Sequence, residues 1–359
     1  TENRPVEAVR DLEKSVELNY NRATYRSRLL LDKDRASRGT SVARAYKDLG
    51  FMKLGVNEST KSLTLDPANS SAHRFLSDSY QGVRRTEIAR VSELLRAQLM
   101  QDININPIQP SLSVTNLNIA TIGGPATAGF NEFTPLFQRN KMQLNVSGFG
   151  GNNDTYGGEA VASAIYGGLS LSAGVYSYDS DGWRENNDLD QEIYNFFAQW
   201  AVTPDLNLQA EFRRREVVRG DLDLNFDPLD FFVAEENQIE QDMVRLGMRY
   251  SFSPAHTFLL SYINVDMDDN LTDSDPFFSL EINENTDGYL LEGQYIYQSE
   301  SFNLITGGAY SKPDIFIVED LSFLPFPITR VEKVEQKRGY IYANVTPMDS
   351  ATWTIGVSY

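Results

Sequence analysis

Side chains that commonly carry out covalent chemistry are scarce in this chain. Its 359 residues include two histidines, His73 and His256, and no cysteine. Nucleophilic catalysis needs a hydroxyl or thiol beside a base that takes its proton, and two histidines far apart in sequence do not supply that grouping. We interpret His73 as a packing or surface histidine and His256 as a solvated turn residue. The sequence therefore predicts a protein that is not an enzyme.

Carboxylates are abundant, and metal binding is the chemistry they would offer. They concentrate in polar stretches such as DSDGWRENNDLDQ (179–191) and DMDDNLTDSD (266–275). Calcium prefers hard oxygen ligands, so the first stretch is a candidate calcium site. Its carboxylates are Asp179, Asp181, Asp188 and Asp190. Neither stretch has the full EF-hand spacing with its terminal glutamate. The alternative is that these charges only solvate loops, and we expect no other cofactor.

Apolar and polar residues alternate from Met142 onward, which is typical of β-strands that separate two environments. In LNLQAEFR (206–213) and VRLGMRYSF (244–252), every second residue is apolar and most residues between them are polar or charged. About eleven such segments, roughly nine to eleven residues each, have the length that a tilted strand needs to cross a bilayer. The sequence therefore predicts antiparallel transmembrane strands over 141–359.

Short and long connections alternate between these segments. Tight turns such as YGGL (166–169) and SPAH (253–256) separate long polar stretches, which we expect to be loops. These stretches are 178–190, 216–242, 267–287 and 312–336. Outer-membrane β-barrels alternate in this way, with short periplasmic turns and long external loops, whereas a soluble all-β domain, the alternative, gives no reason for it. Because bacterial barrels close with an even number of strands, we expect that the chain is cut before closure or that a further strand lies within 111–138.

Polar residues of two predicted strands would face the interior of this barrel. They are Gln209, Glu211, Arg213, Arg245 and Arg249. Charged residues in such a position either tune the selectivity of a pore or pair with each other to fill it. The sequence does not distinguish these two roles.

The first 102 residues have a helical pattern instead. Two windows, 36–69 and 70–103, match a 34-residue helix–turn–helix period and resemble tetratricopeptide (TPR) repeats. Such helix pairs stack into a short α-solenoid with a concave groove. Candidate groove residues are Arg44, Lys47, Arg74, Asp78 and Gln81, which would bind a partner protein or form an ordinary solvated helix face. Residues 103–140, rich in Asn, Pro, Gly and Thr, are predicted to be a linker with room for one or two strands.

Charge is divided unevenly between these parts. Residues 1–102 have 18 basic and 14 acidic residues, a net charge of +4, whereas residues 103–359 have 14 and 36, a net charge of −22. Nucleic-acid binding requires basic surface, so we exclude it. No run approaches 18 consecutive apolar residues, which excludes a transmembrane helix. The predicted fold class is therefore a short α-solenoid followed by a transmembrane β-barrel.

Two segments carry a resemblance to a known class of protein. SAHRFLSDSYQGVRRTEIARVSELLRAQLMQDININPIQPS (71–111) resembles the repeat-to-barrel junction of bacterial TPR proteins with a C-terminal outer-membrane β-barrel, and DGWRENNDLDQEIYNFFAQW (181–200) resembles a barrel strand with its preceding loop. The architecture is similar to that of TPR–porin exopolysaccharide exporters.

The resemblance implies an outer-membrane location, contact with lipid, a periplasmic N-terminal part and a periplasmic protein partner. It also implies a conduit for a solute or polymer. Two alternatives are surface adhesion and TonB-type gated uptake, although helical repeats occupy the place of the plug domain that such uptake needs.

Overall fold

A computed structural model describes residues 4–18, 28–80, 87–101, 103, 140–222, 231–275, 278–348 and 351–359. Within these described residues, five helices come first. They are α1 (Pro5–Glu17), α2 (Arg28–Asp48), α3 (Met52–Leu65), α4 (Ser70–Tyr80) and α5 (Glu87–Met100). Twelve strands follow. They are β1 (Lys141–Gly150), β2 (Tyr156–Tyr166), β3 (Leu169–Ser180), β4 (Leu189–Ala201), β5 (Leu206–Arg219), β6 (Glu235–Ser253), β7 (His256–Asp275), β8 (Phe278–Gln298), β9 (Phe302–Leu321), β10 (Ile328–Lys333), β11 (Gln336–Met348) and β12 (Ala351–Ser358).

Local sequence explains where the helices begin and end. After α2, Gly50 adopts a φ of +86°, a left-handed conformation that glycine reaches without strain. The Gly50 and Phe51 amides then donate to the carbonyls of Lys47 and Tyr46 at 2.9 and 2.8 Å, which closes the helix with a Schellman motif. At the start of α4, the Asn69 side chain accepts a hydrogen bond from the Ala72 amide at 3.0 Å, as an N-cap does.

The strands form one antiparallel sheet in chain order. β1 to β9 pair successively, β11 then pairs with β9, and β12 pairs with β11, while the short β10 pairs with β9 outside this path. Among the described residues β1 and β12 are the two edges, so the sheet does not close on itself. Ten of the eleven predicted segments lie to within one residue inside strands between β1 and β11, the eleventh lies in the same way inside β12, and β10 is the strand that the sequence pattern missed.

The predicted alternation separates two chemically different faces. In β5, Leu208 is 37% exposed and its neighbour Gln209 is 4% exposed, and the same contrast recurs along the sheet. We call the face that contains Asn207, Gln209, Glu211 and their neighbours in register the inner face, and the face that contains Leu208 and Phe212 the outer face. The outer face is apolar and uncovered, which is the reverse of a soluble sheet.

The prediction of long loops from polar sequence is wrong for 267–287 and wrong in part for 216–242 and 312–336, whereas most of 178–190 is a loop. The stretch 267–287 is a hairpin in which β7 and β8 stay paired as far as Asp275 and Phe278. The stretch 216–242 contains the end of β5 and the start of β6, and 312–336 contains the end of β9, all of β10 and the first residue of β11. These extensions lack alternation because polar residues occupy both of their faces, so period two disappears although the backbone hydrogen bonding continues.

The N-terminal helices pack against the sheet instead of forming a detached unit. Helix α5 contacts β6 and β7, so the prediction of a free solenoid did not anticipate their placement on the inner face. Helical structure within 1–102 is confirmed, whereas the TPR repeat itself stays a prediction. The predicted linker lies outside the described residues, apart from Ile103 and Asn140. None of the described helices is long and apolar enough to span a membrane.

Candidate functional site

The C-terminal end of α5 is held by side chains of the inner face. The last carbonyls of a helix have no partner within the helix, and here donors from β4, β5 and β6 reach them. Gln209 Nε2 donates to the Gln98 carbonyl at 2.8 Å, Arg249 Nη1 to the Met100 carbonyl at 3.1 Å, and Gln199 Nε2 to the Gln101 carbonyl at 3.5 Å. The positive charge of Arg249 also complements the negative end of the helix dipole. The inner face therefore acts as the cap of α5.

Helix α3 ends against the sheet in a similar way. Asn303 Nδ2 of β9 donates to the Thr64 carbonyl at 2.9 Å, and Gln298 Nε2 of β8 donates to the Leu65 carbonyl at 3.4 Å. Two helices thus point their C-terminal carbonyls at amide side chains of the inner face.

An apolar patch lies beneath the middle of α5. Val91, Leu94 and Leu95 of the helix pack on four side chains of the sheet that point inward and are buried: Met243, Ile263, Val265 and Leu290. Burying one such side chain contributes about 1.5–3 kcal/mol. An aqueous lumen would favour polar residues at these positions. The patch therefore indicates that this part of the inner face packs against α5.

Beside this patch lies a fully buried ion pair. The side chains of Glu211 and Arg245 are 1% and 0% exposed, and Arg245 Nε donates to Glu211 Oε2 at 3.1 Å. Arg245 Nη1 also donates to Gln209 Oε1 at 3.1 Å, and Asn195 Nδ2 donates to Glu211 Oε1 at 2.9 Å. The guanidinium lies over the ring of Phe197, 5.5 Å from its centroid. The Glu211 carboxylate is therefore paired through both oxygens and the Arg245 guanidinium through Nε and Nη1, while its buried Nη2 has no hydrogen-bond partner among the described residues.

A second charged cluster joins α4 and α5 to β8 and β11. His73 Nδ1 lies 2.5 Å from Glu93 Oε2, and Arg96 Nη1 donates to Glu93 Oε1 at 2.6 Å. Arg96 also pairs with Glu292 and donates to the Tyr340 hydroxyl at 3.0 Å. Burial alone would raise the pKa of Glu93, but the positive charge of Arg96 and the contact with His73 outweigh it and lower this pKa to about 2. The Glu93 carboxylate thus stays charged within the interface.

A cavity of about 410 Å³ opens next to this cluster, between the helices and the last strands of the sheet. It is lined by Glu93 and Arg96 from α5, His73 from α4, and residues of α3, β8, β9, β11 and β12. Its lining residues from the sheet include the polar side chains of Arg338, Tyr340 and Gln294. This volume falls in the range of small-molecule sites, and the lining can bind a ligand through several hydrogen bonds.

The structure brings together the residues predicted to face the interior. In the β5–β6 register, Glu211 lies opposite Arg245 and Asn207 lies opposite Arg249. Gln209 and Arg249 contact α5, and Arg213 is buried on the same face. Their position is the one that alternation indicated, whereas their role in pore selectivity stays a prediction.

The three candidate groove residues whose side chains the structure describes, Arg44, Lys47 and Arg74, differ in their exposure. Arg74 is 2% exposed because the helix packing covers it. The prediction that Arg74 lies in a groove open to a partner is therefore wrong. Arg44 is exposed, and Lys47 is half-buried with its ammonium 5.8 Å from the centre of the Phe75 ring. The side chain of Asp78 and all of Gln81 lie outside the described residues.

The candidate calcium ligands all lie in one hairpin, at the paired ends of β3 and β4 and in the loop between them. Asp179 of β3 faces Asp190 of β4 in the register, while Asp181 and Asp188 lie in the loop between these strands. In the part of the chain that the structure describes, no group of three or more His, Asp or Glu side chains is arranged to hold a metal ion. Calcium binding at this loop therefore stays a prediction.

The sequence did not reveal the pairs that join helix to sheet. Arg96 and Glu292 are 196 positions apart, and Ser92 Oγ donates to the same carboxylate at 2.5 Å. A usable signal was the apolar run FLLSYINV (258–265), whose inward positions include Leu259, Ile263 and Val265. An apolar inward residue indicates a covering element, but it does not identify which one.

Comparison with known proteins places the fold in the class of outer-membrane β-barrels. The structure is similar to that of a copper transporter, OprC, with a TM-score of 0.51 at 12% identity over 66% of this chain and 40% of that one. It is also similar to the ferripyoverdine receptor of the outer membrane of Pseudomonas aeruginosa, with a TM-score of 0.51 at 12% identity over 62% of this chain and 37% of that one. The chain thus spans about two fifths of the length of these proteins. No family model and no curated protein sequence matches it.

Proposed function

We propose that this chain forms wall and plug of a transporter in the bacterial outer membrane, which passes a solute when its helices move away from the inner face. The observation that carries the proposal is the inverted distribution of polarity. The buried Glu211–Arg245 pair lies under the helices, whereas apolar side chains such as Leu208 and Val146 are uncovered. Lipid is the environment that favours such an outer face. The two similar folds, a copper transporter and a ferripyoverdine receptor, support the same conclusion.

Gated transport fits the packing better than a permanently open conduit. The carbonyls at the end of α5 are capped by the sheet and its apolar side is buried. A solute moving along this part of the inner face would have to displace the helix. This favours gated uptake of the TonB type among the alternatives considered, with the helices in the role of a plug.

Ion conductance in planar bilayers tests the proposal. Leu94 is fully buried between α5 and the sheet, so Leu94→Glu should release the helix and raise conductance at least tenfold over wild type. Leu54 of α3 is 48% exposed, and Leu54→Glu is a matched control that should leave conductance unchanged. Heat-modifiable gel mobility reports whether each variant has folded. A wild-type channel that is already open, and that Leu94→Glu leaves unchanged, would contradict gating; a folded Leu94→Glu variant that stays sealed would contradict transport.

We also propose that the helices face the periplasm and recruit a protein partner through TPR-type repeats. The helix spans support this proposal, since α2 and α3 end within the first 34-residue window and α4 and α5 fall within the second. Arg44 offers an exposed basic side chain for such a partner. Protease added to intact cells should leave the helices uncut, and protease added to the periplasm should cleave after Arg44 unless the partner is bound.

A surface-binding function is the second candidate, because two connections at one end of the sheet are locked together. Arg184 of the β3–β4 loop pairs with Asp221 after β5 at 3.4 Å, and its guanidinium lies 4.5 Å from the centre of the Phe231 ring. Asn186 Nδ2 donates to the Phe232 carbonyl at 2.6 Å. Arg184→Ala should unlock these loops and reduce adhesion of intact cells with conductance unchanged; unchanged adhesion would exclude a role for this surface.

A further inference from the structure

The cavity beside α5 has more hydrogen-bond donors than the described protein atoms satisfy. Nε and Nη2 of Arg338 and Nε of Arg96 are buried without a hydrogen-bond partner among the described residues, and so is Oε1 of Gln294. All three residues line the cavity. A buried polar group without a partner costs about 1–3 kcal/mol, more when it is charged. Three donor atoms on two guanidinium groups and one acceptor oxygen thus lack a partner in residues that line a cavity large enough for a small molecule.

The geometry of Arg338 is suited to an oxyanion. Nε and Nη2 lie on one edge of the guanidinium, the edge that binds two oxygens of a carboxylate or phosphate in parallel. Nη2 is 3.6 Å from Glu292 Oε2, which is an ion pair beyond hydrogen-bond distance. The Arg338 side chain is 26% exposed as a whole, but Nε and Nη2 are themselves covered, so an anion reaches this edge when the side chain turns toward the cavity.

Glu292 is already occupied by other donors. Its Oε1 accepts from Arg96 Nη2 and from the Tyr340 hydroxyl, the latter at 3.0 Å, and its Oε2 accepts from Ser92 Oγ at 2.5 Å. Glu93 is likewise held by His73 and Arg96. Neither carboxylate of the cluster can accept a hydrogen bond from Arg338 unless it loses one of these existing contacts. The Nε–Nη2 edge of Arg338 is therefore left for an incoming anion.

We infer that this cavity binds a small solute carrying a carboxylate or phosphate group, whose two oxygens accept hydrogen bonds from Nε and Nη2 of Arg338. The hydroxyls and amides of the lining, among them Thr60, Thr64 and Gln294, would contact the polar remainder of the solute. The identification of this solute as the transported substrate rests on the proposed transport function, whereas its binding does not.

Calorimetric titration of the purified full chain in detergent tests the inference with three probes: succinate, inorganic phosphate and uncharged glucose. We expect saturable binding of at least one anion and none of glucose. Arg338→Gln should weaken that binding at least tenfold, and Arg338→Lys should weaken it less because the charge remains without the fork. Arg330→Gln is the matched control, because Arg330 is 55% exposed on β10 and pairs with Glu319 outside the cavity.

Three results would overturn the inference: no saturable binding of either anion, glucose binding as well as the anions do, or unchanged affinity in a folded Arg338→Gln variant. Succinate binding without phosphate binding, or the reverse, assigns the chemical group. Conductance measured on the same preparations separates the two proposals. If Leu94→Glu opens the channel but no anion binds, the oxyanion site fails and transport stands; if an anion binds but no variant conducts, transport fails and the site stands.

Discussion

The ion pair between Glu211 and Arg245 shows how strongly the inner face depends on the contacts beneath α5. Glu211→Gln removes the negative charge and leaves the shape nearly unchanged. Glutamine has one acceptor oxygen, whereas Glu211 uses two, one for Arg245 and one for Asn195. One of these donors must therefore lose its partner, and Arg245, whose side chain is fully buried, keeps a charge that water cannot reach.

The size of the effect follows from distance and burial. Two unit charges separated by the observed 3.1 Å attract by about 5 kcal/mol at an effective dielectric constant of 20. Part of this attraction is retained in Glu211→Gln because the amide oxygen still accepts one hydrogen bond. Removing one partner of a buried pair costs about 3–5 kcal/mol, so we expect a loss of about 4 kcal/mol in the free energy of unfolding.

Urea unfolding of the refolded protein, followed by tryptophan fluorescence, measures this loss. With a slope of about 3 kcal/mol per molar urea, the midpoint should fall by more than about 1 M. Glu216→Gln on the same strand is the control, since the Arg214–Glu216 pair is exposed and such pairs contribute about 0–1 kcal/mol. Equal midpoint shifts for the two variants would refute the reasoning.

A double replacement distinguishes lost attraction from the penalty of an isolated charge. Glu211→Leu together with Arg245→Met removes both charges and keeps apolar volume beneath α5. Replacing a buried pair by apolar residues is often neutral, so the double variant should recover most of the stability that Glu211→Gln loses. A double variant less stable than Glu211→Gln would show that the pair is held by geometry that apolar side chains cannot reproduce.

Three further predictions concern the outer face, the charged cluster and the seat of α5. Val146→Lys places a charge on the outer face and should destabilise the folded barrel by about 2–4 kcal/mol in bilayers. Ser147→Lys, one residue along and on the inner face, should cost less than about 1 kcal/mol. Equal losses in the free energy of unfolding, measured with urea, would argue against lipid contact. Because the pKa of Glu93 is lowered from 4.5 to about 2, its contribution to stability is complete above pH 4.5 and disappears as the pH falls through 2. Glu93→Gln should flatten the pH dependence of the free energy of unfolding between these two values. An unchanged pH dependence in this variant would exclude the contribution of Glu93. A Cβ at Gly247 would lie 2.6 Å from Leu99 Cδ2, so Gly247→Leu should displace the end of α5 and raise conductance, an expectation that a sealed variant would disprove.

The strands were predictable because the two faces of the sheet are chemically different. Alternation in segments such as 206–213 records that difference directly, and the register of β5 with β6 follows from it. The extensions of β7 and β8 were not predictable in this way. Asp266 and Asp268 share one face and Met267 and Asp269 the other, so the alternation is lost in this extension, and the polar run was taken for a loop.

The placement of the helices could not be derived from local pattern. Helix α5 has an apolar side, but that side fits a neighbouring repeat as well as it fits the apolar patch formed by Met243, Ile263 and Leu290. The charged cluster likewise depends on Arg96 meeting Glu292, a pair that forms only after the sheet has brought β8 beneath the helix. Long-range pairs of this kind leave no spacing signal in the sequence.

The capping of α5 by the sheet sets an order for assembly. The carbonyls of Gln98 and Met100 find their donors on Gln209 and Arg249, which follow them by 111 and 149 positions. During synthesis or translocation the helix therefore precedes its own cap by a large part of the chain, and its last turn stays frayed until β5 and β6 have paired. The strands of the sheet must therefore pair before α5 can pack fully, and until then a cell has to protect the early helices from non-native contacts.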